Sequence, residues 1–204
     1  MKERGLYDGA IVIYTSDHGS HFRTKMHEAA PDGYDDYKRN SYEDTIRVPL
    51  VVRGPGFTGG MEDSHLVSLL DIPKTIVEAA GGDSGGMIWK SLHSQTDRDA
   101  VYIQISESFV GSAVRTDRYT YCVQAPEKHP WNDSTSEVYR DRCLFDNEKD
   151  PCQRNNLIHD PAYAEIKADL RIRLIALARQ AGEGRPIRCF CASGLRSWSK
   201  DNNL

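Results

Sequence analysis

The chain has 204 residues, of which 39% are hydrophobic and 27% charged, and its formal net charge at pH 7 is −4. This length allows one domain with a substantial core or two small domains. The small net charge argues against a field that attracts nucleic acid or an anionic membrane. No apolar run approaches the roughly 18 residues of a membrane-spanning helix. We therefore expect neither nucleic acid nor a membrane among its partners.

The chain contains cysteines at positions 122, 143, 152, 189 and 191. An odd number of cysteines in a chain of this length does not indicate a disulfide framework. Cys189 and Cys191 are too close in sequence for a zinc pair without two further ligands. We predict reduced, mostly buried thiols, and the alternative is a Cys143–Cys152 bridge around an Asp-Pro turn. These thiols, with a start that shows no apolar leader, slightly favour a cytoplasmic location.

The first predicted strand covers residues 10–16 and runs directly into Asp17-His18-Gly19. Its continuous apolar run is typical of a parallel strand that is covered on both faces. In open α/β sheets, active sites collect at the carboxyl ends of such strands. A carboxylate suits a hard cation such as Ca²⁺, and a neutral imidazole can coordinate a metal or donate to a substrate oxygen. Asp17 and His18 are therefore candidate metal ligands, and a turn cap and a surface histidine are the structural alternative.

Residues 17–45 form a long polar segment, and long loops in compact domains are functional or disordered. Its side chains His21, Arg23 and His27 can bind an anionic ester or protonate a leaving group. We select His21 for contact with the leaving group, whereas Arg23 and His27 are as consistent with solvated positions. Lys38 can neutralise charge on the oxygens of a transferred group. A solvated lysine in a charged loop is the alternative for Lys38.

A second strand is predicted over residues 48–53, where Gly54-Pro55-Gly56 closes it. A helix follows over Ser64–Ala80, with Pro73 starting a fresh turn. Glycines and polar residues between positions 81 and 99 then indicate a linker to a second unit.

The second unit shows short alternating segments instead of continuous apolar runs. Strands are predicted over residues 101–107, 113–115, 119–123 and 137–145, the middle two as a hairpin. An amphipathic helix is predicted from Pro161 to about Ala181. Its apolar side comprises Ile166, Leu170, Ile172, Leu174, Ile175 and Leu177. We expect a small antiparallel sheet with one helix packed on it.

Several motifs in order resemble the C-terminal half of a sulfatase, a member of the alkaline phosphatase superfamily. They are Ser16-Asp17-His18-Gly19, Lys38, Tyr42-Glu43 and Arg47-Val48-Pro49. Further matches are Leu66 to Thr75, Val114 to Tyr121, Leu144 to Pro151 and Asn155-Asn156-Leu157. The resemblance covers roughly residues 6–182.

The resemblance implies an α/β fold, namely the C-terminal part of an alkaline-phosphatase-like parallel-sheet domain over residues 1–95. A small α+β antiparallel-sheet subdomain follows over residues 96–182, and residues 183–204 form a tail without a clear pattern. The two predicted strands of the first domain are expected to lack neighbours and to expose unpaired edges.

By resemblance, Asp17 and His18 bind Ca²⁺ or another divalent cation, and Lys38 contacts the sulfate group. The resemblance assigns His21 no fixed role. It makes Tyr42, Glu43, Arg47 and Pro49 structural, and we expect an ion pair between Glu43 and Arg47 at i, i+4. The implied activity is that of a sulfuric ester hydrolase acting on a small-molecule or carbohydrate sulfate ester. Its nucleophile is a hydrated formylglycine that attacks sulfur.

The chain departs from the family in two respects. It contains no Cys-x-Pro-Ser-Arg or Ser-x-Pro-Ser-Arg segment, in which the formylglycine arises, and no N-terminal aspartate pair for the metal. We therefore expect a C-terminal portion that works with an N-terminal half and is inactive alone. The alternatives are a phosphonate or phosphate monoester hydrolase of the same superfamily and a non-catalytic, degenerate sulfatase module.

Overall fold

The computed structural model describes residues 1–21, 38–57, 59–94, 98–183 and, for the backbone alone, 188–190. Arg23 and His27 lie outside the described residues. The described part contains two β-sheets and three α-helices, with short 3-10 helices at Lys2–Arg4 and Pro161–Tyr163. No described helix is both long and apolar enough to cross a lipid bilayer.

The first sheet joins β1 (Val12–Thr15) to β2 (Leu50–Arg53) in an antiparallel pair. The expectation that β1 is a parallel strand covered on both faces is wrong for this pair. Side chains along β1 alternate between exposed and half-buried. An apolar run reports burial but does not specify the direction of the neighbouring strand. Within the described residues this sheet has two strands.

Two helices flank β2. The four-residue helix α1 (Glu43–Ile46) precedes it, and α2 (Asp71–Ala79) follows it. α2 begins later than the predicted Ser64. Asp71 is the first residue of the helix. Its buried carboxylate accepts hydrogen bonds from both terminal nitrogens of Arg98, at 2.6 and 2.8 Å.

The second sheet has the order β3-β4-β5-β6-β7. Its strands are β3 (Ala100–Ile105), β4 (Gly111–Thr116), β5 (Tyr119–Gln124), β6 (Val138–Asp146) and β7 (Arg188–Phe190). The first four pair antiparallel, as their alternating sequences predict. β7 adds a short parallel strand beside β6, so part of the tail extends the sheet.

The helix α3 (Ala164–Gln180) packs on one face of this sheet and buries Leu170, Leu174 and Ala178. The Asp160 carboxylate accepts a hydrogen bond from the Ala162 amide and so caps the preceding 3-10 turn. The predicted apolar side of the helix is wrong at Ile172, whose side chain is 68% exposed.

Alternation along the strands gives the second sheet two buried faces. Val114, Tyr121 and Leu144 point towards α3. Their neighbours Ala113, Cys122, Cys143 and Phe145 form a second cluster, against which Tyr42 packs from the first part of the chain. Cys122 and Cys143 are buried thiols, as predicted, whereas Cys152 lies at the surface. The thiol state of Cys143 contradicts the alternative bridge to Cys152.

Candidate active site

The segment that follows β1 brings the two predicted metal ligands together. The Asp17 side chain is 86% exposed, and the His18 side chain is 39% exposed. The Asp17 Oδ2 atom lies 3.6 Å from His18 Nε2. The backbone amide of His18 donates to Asp17 Oδ1 at 3.1 Å, which fixes the orientation of the carboxylate. Both side chains therefore present polar atoms on the same side of the turn.

The hydrogen bonding of His18 defines its tautomer. The Nδ1 atom lies 2.8 Å from the Gly19 carbonyl oxygen, which can only accept. Nδ1 therefore carries the proton in the neutral imidazole, and Nε2 keeps its lone pair. A backbone carbonyl commonly orients metal-binding histidines in this way. Nε2 faces the Asp17 carboxylate, as the two ligands of one cation would.

Gly19 connects this turn to α1. Its amide donates to the Thr45 carbonyl oxygen at 2.7 Å. A Cβ atom at Gly19 would lie 2.1 Å from the Asp44 carbonyl oxygen. Since only glycine lacks that atom, the close approach of the two segments depends on this residue.

His21 makes a second connection between the same segments. Its side chain is buried, with 1% of its surface exposed. The Tyr42 ring meets the His21 ring edge-on, at 5.7 Å between centroids and an interplanar angle of 82°. Tyr42 also packs against Phe145 on β6, at 5.6 Å between centroids. The predicted leaving-group residue therefore rests on the aromatic residue that joins this region to the second sheet.

Lys38 is half-buried and lies in a turn. The two residues that follow it, Arg39 and Asn40, make contacts that hold this turn in place. The Arg39 guanidinium pairs with the Glu107 carboxylate at 2.5 Å. The Asn40 side chain accepts a hydrogen bond from the Tyr42 amide at 3.1 Å. Lys38 thus stands four residues from Tyr42, the residue that contacts His21.

The expected Glu43–Arg47 ion pair is wrong. Glu43 Oε1 instead pairs with Arg115 Nη2 on β4, at 2.9 Å, and Arg47 is exposed. The Glu43 amide also donates to the buried Gln153 side chain at 2.7 Å. Gln153 adopts a positive φ of 49°. No sequence signal identifies Arg115 or Gln153 as a partner of Glu43, because each lies 70 or more positions away along the chain and belongs to no local motif.

Asp17 and His18 fit part of a cation site. One carboxylate and one imidazole are suitable donors, but Ca²⁺ takes about 6–8 oxygen ligands. Among the described residues, no three His, Cys, Asp or Glu side chains are grouped so that they could hold a metal ion. Further ligands must therefore come from outside this pair.

The chain is similar to known proteins in sequence and in fold. A model of the family described as Sulfatase matches residues 1–82, which include Asp17, His18, His21 and Lys38. Arylsulfatase K of Homo sapiens is 30% identical over 167 residues, which are 77% of this chain and 29% of that relative. Residues 1–82 therefore match the sulfatase family, and the chain is similar to a sulfatase over most of its own length.

Solved structures support the predicted fold. A protein in complex with its substrate D-glucosamine-2-N,6-O-disulfate aligns with a TM-score of 0.70 at 24% identity, over 92% of this chain and 37% of that chain. A phosphonate monoester hydrolase of Agrobacterium radiobacter aligns with a TM-score of 0.63 at 22% identity, over 88% of this chain and 37% of that chain. The expected α/β fold, as the C-terminal part of an alkaline-phosphatase-like protein, is confirmed. The chain spans less than two-fifths of these proteins.

Proposed function

We propose that the chain is the C-terminal portion of a sulfuric ester hydrolase and supplies its metal and sulfate ligands. One observation carries the proposal. The Asp17–His18 pair and the segment that follows Lys38 are tied together by the Gly19–Thr45 hydrogen bond and the His21–Tyr42 contact. These residues lie within the stretch that matches the sulfatase family.

Each residue has a distinct role in this proposal. The Asp17 carboxylate and the Nε2 lone pair of His18 hold a divalent cation, Ca²⁺, which supplies Lewis-acid stabilisation of a sulfate oxygen when bound. The Lys38 ammonium binds the sulfate group and neutralises charge that develops on its oxygens. The His21 imidazole contacts the leaving group once the complete enzyme exposes this side chain, which is buried in the structure described above.

The remaining parts of the reaction lie outside these residues. The nucleophile is a formylglycine in an N-terminal half, which also provides the missing cation ligands. The 204-residue chain alone is therefore inactive. The substrate is a small-molecule or carbohydrate sulfate ester, and this is supported by the sulfated sugar bound to one of the proteins that share the fold described above.

A phosphonate monoester hydrolase is the second candidate, because one such enzyme shares the fold at a TM-score of 0.63. Sulfate and phosphonate esters both present anionic oxygens to a lysine and a cation, so the described residues suit either substrate. Turnover of an arylsulfate and of an aryl phosphonate by the enzyme with its N-terminal half separates the two candidates.

The sharpest test replaces Lys38. In the enzyme with its N-terminal half, Lys38→Ala should lower arylsulfate turnover about a hundredfold, because a positioned charge at a developing anion contributes roughly 3 kcal/mol. Lys2→Ala removes an exposed lysine near the start of the chain and serves as the matched control. Unchanged turnover in Lys38→Ala would show that this lysine is a solvated loop residue.

The chain alone tests the other roles. Calorimetry should detect weak Ca²⁺ binding that is lost in Asp17→Asn and kept in Asp83→Asn, which alters another exposed aspartate. The isolated chain should not hydrolyse an arylsulfate with or without Ca²⁺. Metal-dependent turnover that survives replacement of every cysteine would mean that the chain contains a different nucleophile, and the proposal would be wrong.

A further inference from the structure

An exposed tryptophan stands beside the turn that carries Lys38. The Trp131 side chain is 67% exposed, in the turn between β5 and β6. The Arg39 guanidinium lies over its ring, at 6.0 Å from the centroid. Arg39 is the residue directly after Lys38, so the indole contacts the turn that carries the proposed sulfate ligand although 93 positions separate Lys38 and Trp131 in sequence.

Three segments hold this indole in place. Arg39 pairs with Glu107 at 2.5 Å, so its charge is already balanced, and it acts on the indole as a positioning residue. The Glu107 amide donates to the Pro130 carbonyl oxygen at 3.0 Å, next to the tryptophan. The Asp133 carboxylate accepts a hydrogen bond from the His129 amide at 2.9 Å and closes the turn from its other end.

The backbone of Glu107 is strained in the conformation that makes these contacts. Its φ is 69°, in a region that non-glycine residues seldom adopt. Such strain collects at binding and active sites. Here it turns the Glu107 carboxylate towards Arg39 and its amide towards the tryptophan turn at the same time.

The position of the ring defines what it can bind. A single exposed apolar side chain is ordinary on a protein surface. Trp131, however, contacts the guanidinium of the residue that follows Lys38, so it offers a flat apolar face on the turn that carries a proposed anion ligand. A sulfated pyranose has the complementary form, because the C–H bonds of one ring face are apolar and the sulfate is anionic. Aromatic faces bind such surfaces by stacking.

We propose that Trp131 is a stacking platform for the sugar ring of a sulfated carbohydrate whose sulfate group reaches Lys38. The proposal rests on the proposed function for the role of Lys38. It makes Trp131 a specificity residue that favours sugar sulfates over substrates without a ring to stack. Arg39 and Glu107 set the position of the indole.

Binding to the full 204-residue chain tests this without requiring turnover. The probes are D-glucosamine-2-N,6-O-disulfate, N-acetylgalactosamine 4-O-sulfate and inorganic sulfate. At least one sugar should shift the indole N–H resonance of Trp131, and inorganic sulfate should not. Trp131→Ala should lower the affinity for that sugar about tenfold and leave the affinity for inorganic sulfate unchanged. Trp131→Phe keeps a ring and should lose less than about threefold.

Two further variants separate the inference from the proposed function. Ile172→Ala removes an equally exposed apolar side chain, on α3, and should change neither affinity. Lys38→Ala should weaken both the sugar and inorganic sulfate. If Lys38→Ala weakens the binding of both the sugar and inorganic sulfate while Trp131→Ala binds the sugar normally, the stacking platform is wrong and the proposed function stands. If only Trp131→Ala weakens the sugar, the platform stands and the sulfate role of Lys38 is wrong. The absence of an indole shift with either sugar would overturn the platform.

Discussion

Gly19 is the position at which a single added carbon should separate the two parts of the candidate site. A Cβ atom there would meet the Asp44 carbonyl oxygen at 2.1 Å. Gly19→Ala should therefore break the hydrogen bond to Thr45 and destabilise the fold by about 1–3 kcal/mol, the usual cost of overpacking. Urea unfolding of the two chains gives the difference in the free energy of unfolding.

The matched control is Gly9→Ala. A Cβ at Gly9 would have no atom within 4 Å, so this change should leave the free energy of unfolding nearly unaltered. If Gly19→Ala were as stable as Gly9→Ala, the close approach of the turn to α1 would not contribute to the fold.

For individual residues, the sequence predicts the candidate side chains but not the contacts that they make. Asp17, His18 and Lys38 belong to local motifs, and a local motif can be recognised without knowing the fold. The edge-on contact of His21 with Tyr42 and the pairing of Glu43 with Arg115 join segments far apart in sequence. Nothing in the neighbouring residues specifies such partners. The metal and sulfate roles stay predictions.

A buried carboxylate adds polar contacts to the apolar packing of α3 on the second sheet. Asp141 on β6 has a side chain that is 1% exposed. It accepts hydrogen bonds from Tyr121 at 2.5 Å and from Arg171 at 2.9 and 3.0 Å, and Lys167 lies 3.4 Å away. Burial alone would raise the pKa of Asp141, but these hydrogen bonds and charges outweigh it and hold the pKa below its ordinary value.

Asp141→Asn should therefore destabilise the protein by about 3 kcal/mol at neutral pH, because it leaves buried cationic groups without their counter-charge. The pH dependence has a definite sign. A carboxyl whose pKa is lower in the folded state stabilises the fold above its unfolded pKa of about 3.9, and the contribution disappears as pH falls through the folded-state pKa. Urea unfolding at a series of pH values should show the two chains converging in acid.

Asp169→Asn, which alters a carboxylate on α3, is the control. Asp169 pairs with Arg173 at 2.7 Å, but its side chain is 59% exposed, and exposed ion pairs contribute little. A loss of stability in Asp169→Asn equal to that in Asp141→Asn would show that burial does not set the importance of these pairs.

The elements of the second sheet could be predicted because their pattern is local. Alternation identifies β3 to β6, and an amphipathic period identifies α3. The antiparallel pairing of β1 with β2 could not be predicted in the same way, since 34 residues separate the two strands and no tight turn fixes their directions. The sequence pattern wrongly predicts that Ile172 is buried. It lies beside the buried residues of α3 in sequence, and only the position of the neighbouring sheet shows that its side chain faces solvent.

For the molecule as a whole, the first sheet presents an apolar surface to solvent. Val12, Tyr14 and Val51 are 40%, 65% and 61% exposed, and Tyr14 lies opposite Val51 in the strand pair. Exposed apolar strands favour association between chains. The double variant Tyr14→Thr, Val51→Thr should therefore shift sedimentation profiles at high concentration towards the monomer.

Ile172→Thr is the comparison for this experiment. Ile172 is 68% exposed but lies on α3, away from these strands. It should sediment like the unmodified chain. If the double variant associates as strongly as Ile172→Thr, the surface of the first sheet does not drive association.

Tyr42 lies between the buried His21 of the candidate site and Phe145 of the second sheet. Any ligand that orders the site therefore also favours the packed state of the sheet, and the two free energies are coupled. A mutation that populates an unpacked sheet beneath Tyr42 therefore lowers the apparent affinity for the ligand in proportion to the fraction of packed protein that is lost. Inherited or engineered changes deep in the second sheet, distant from the candidate site, would then be measured as a loss of ligand affinity.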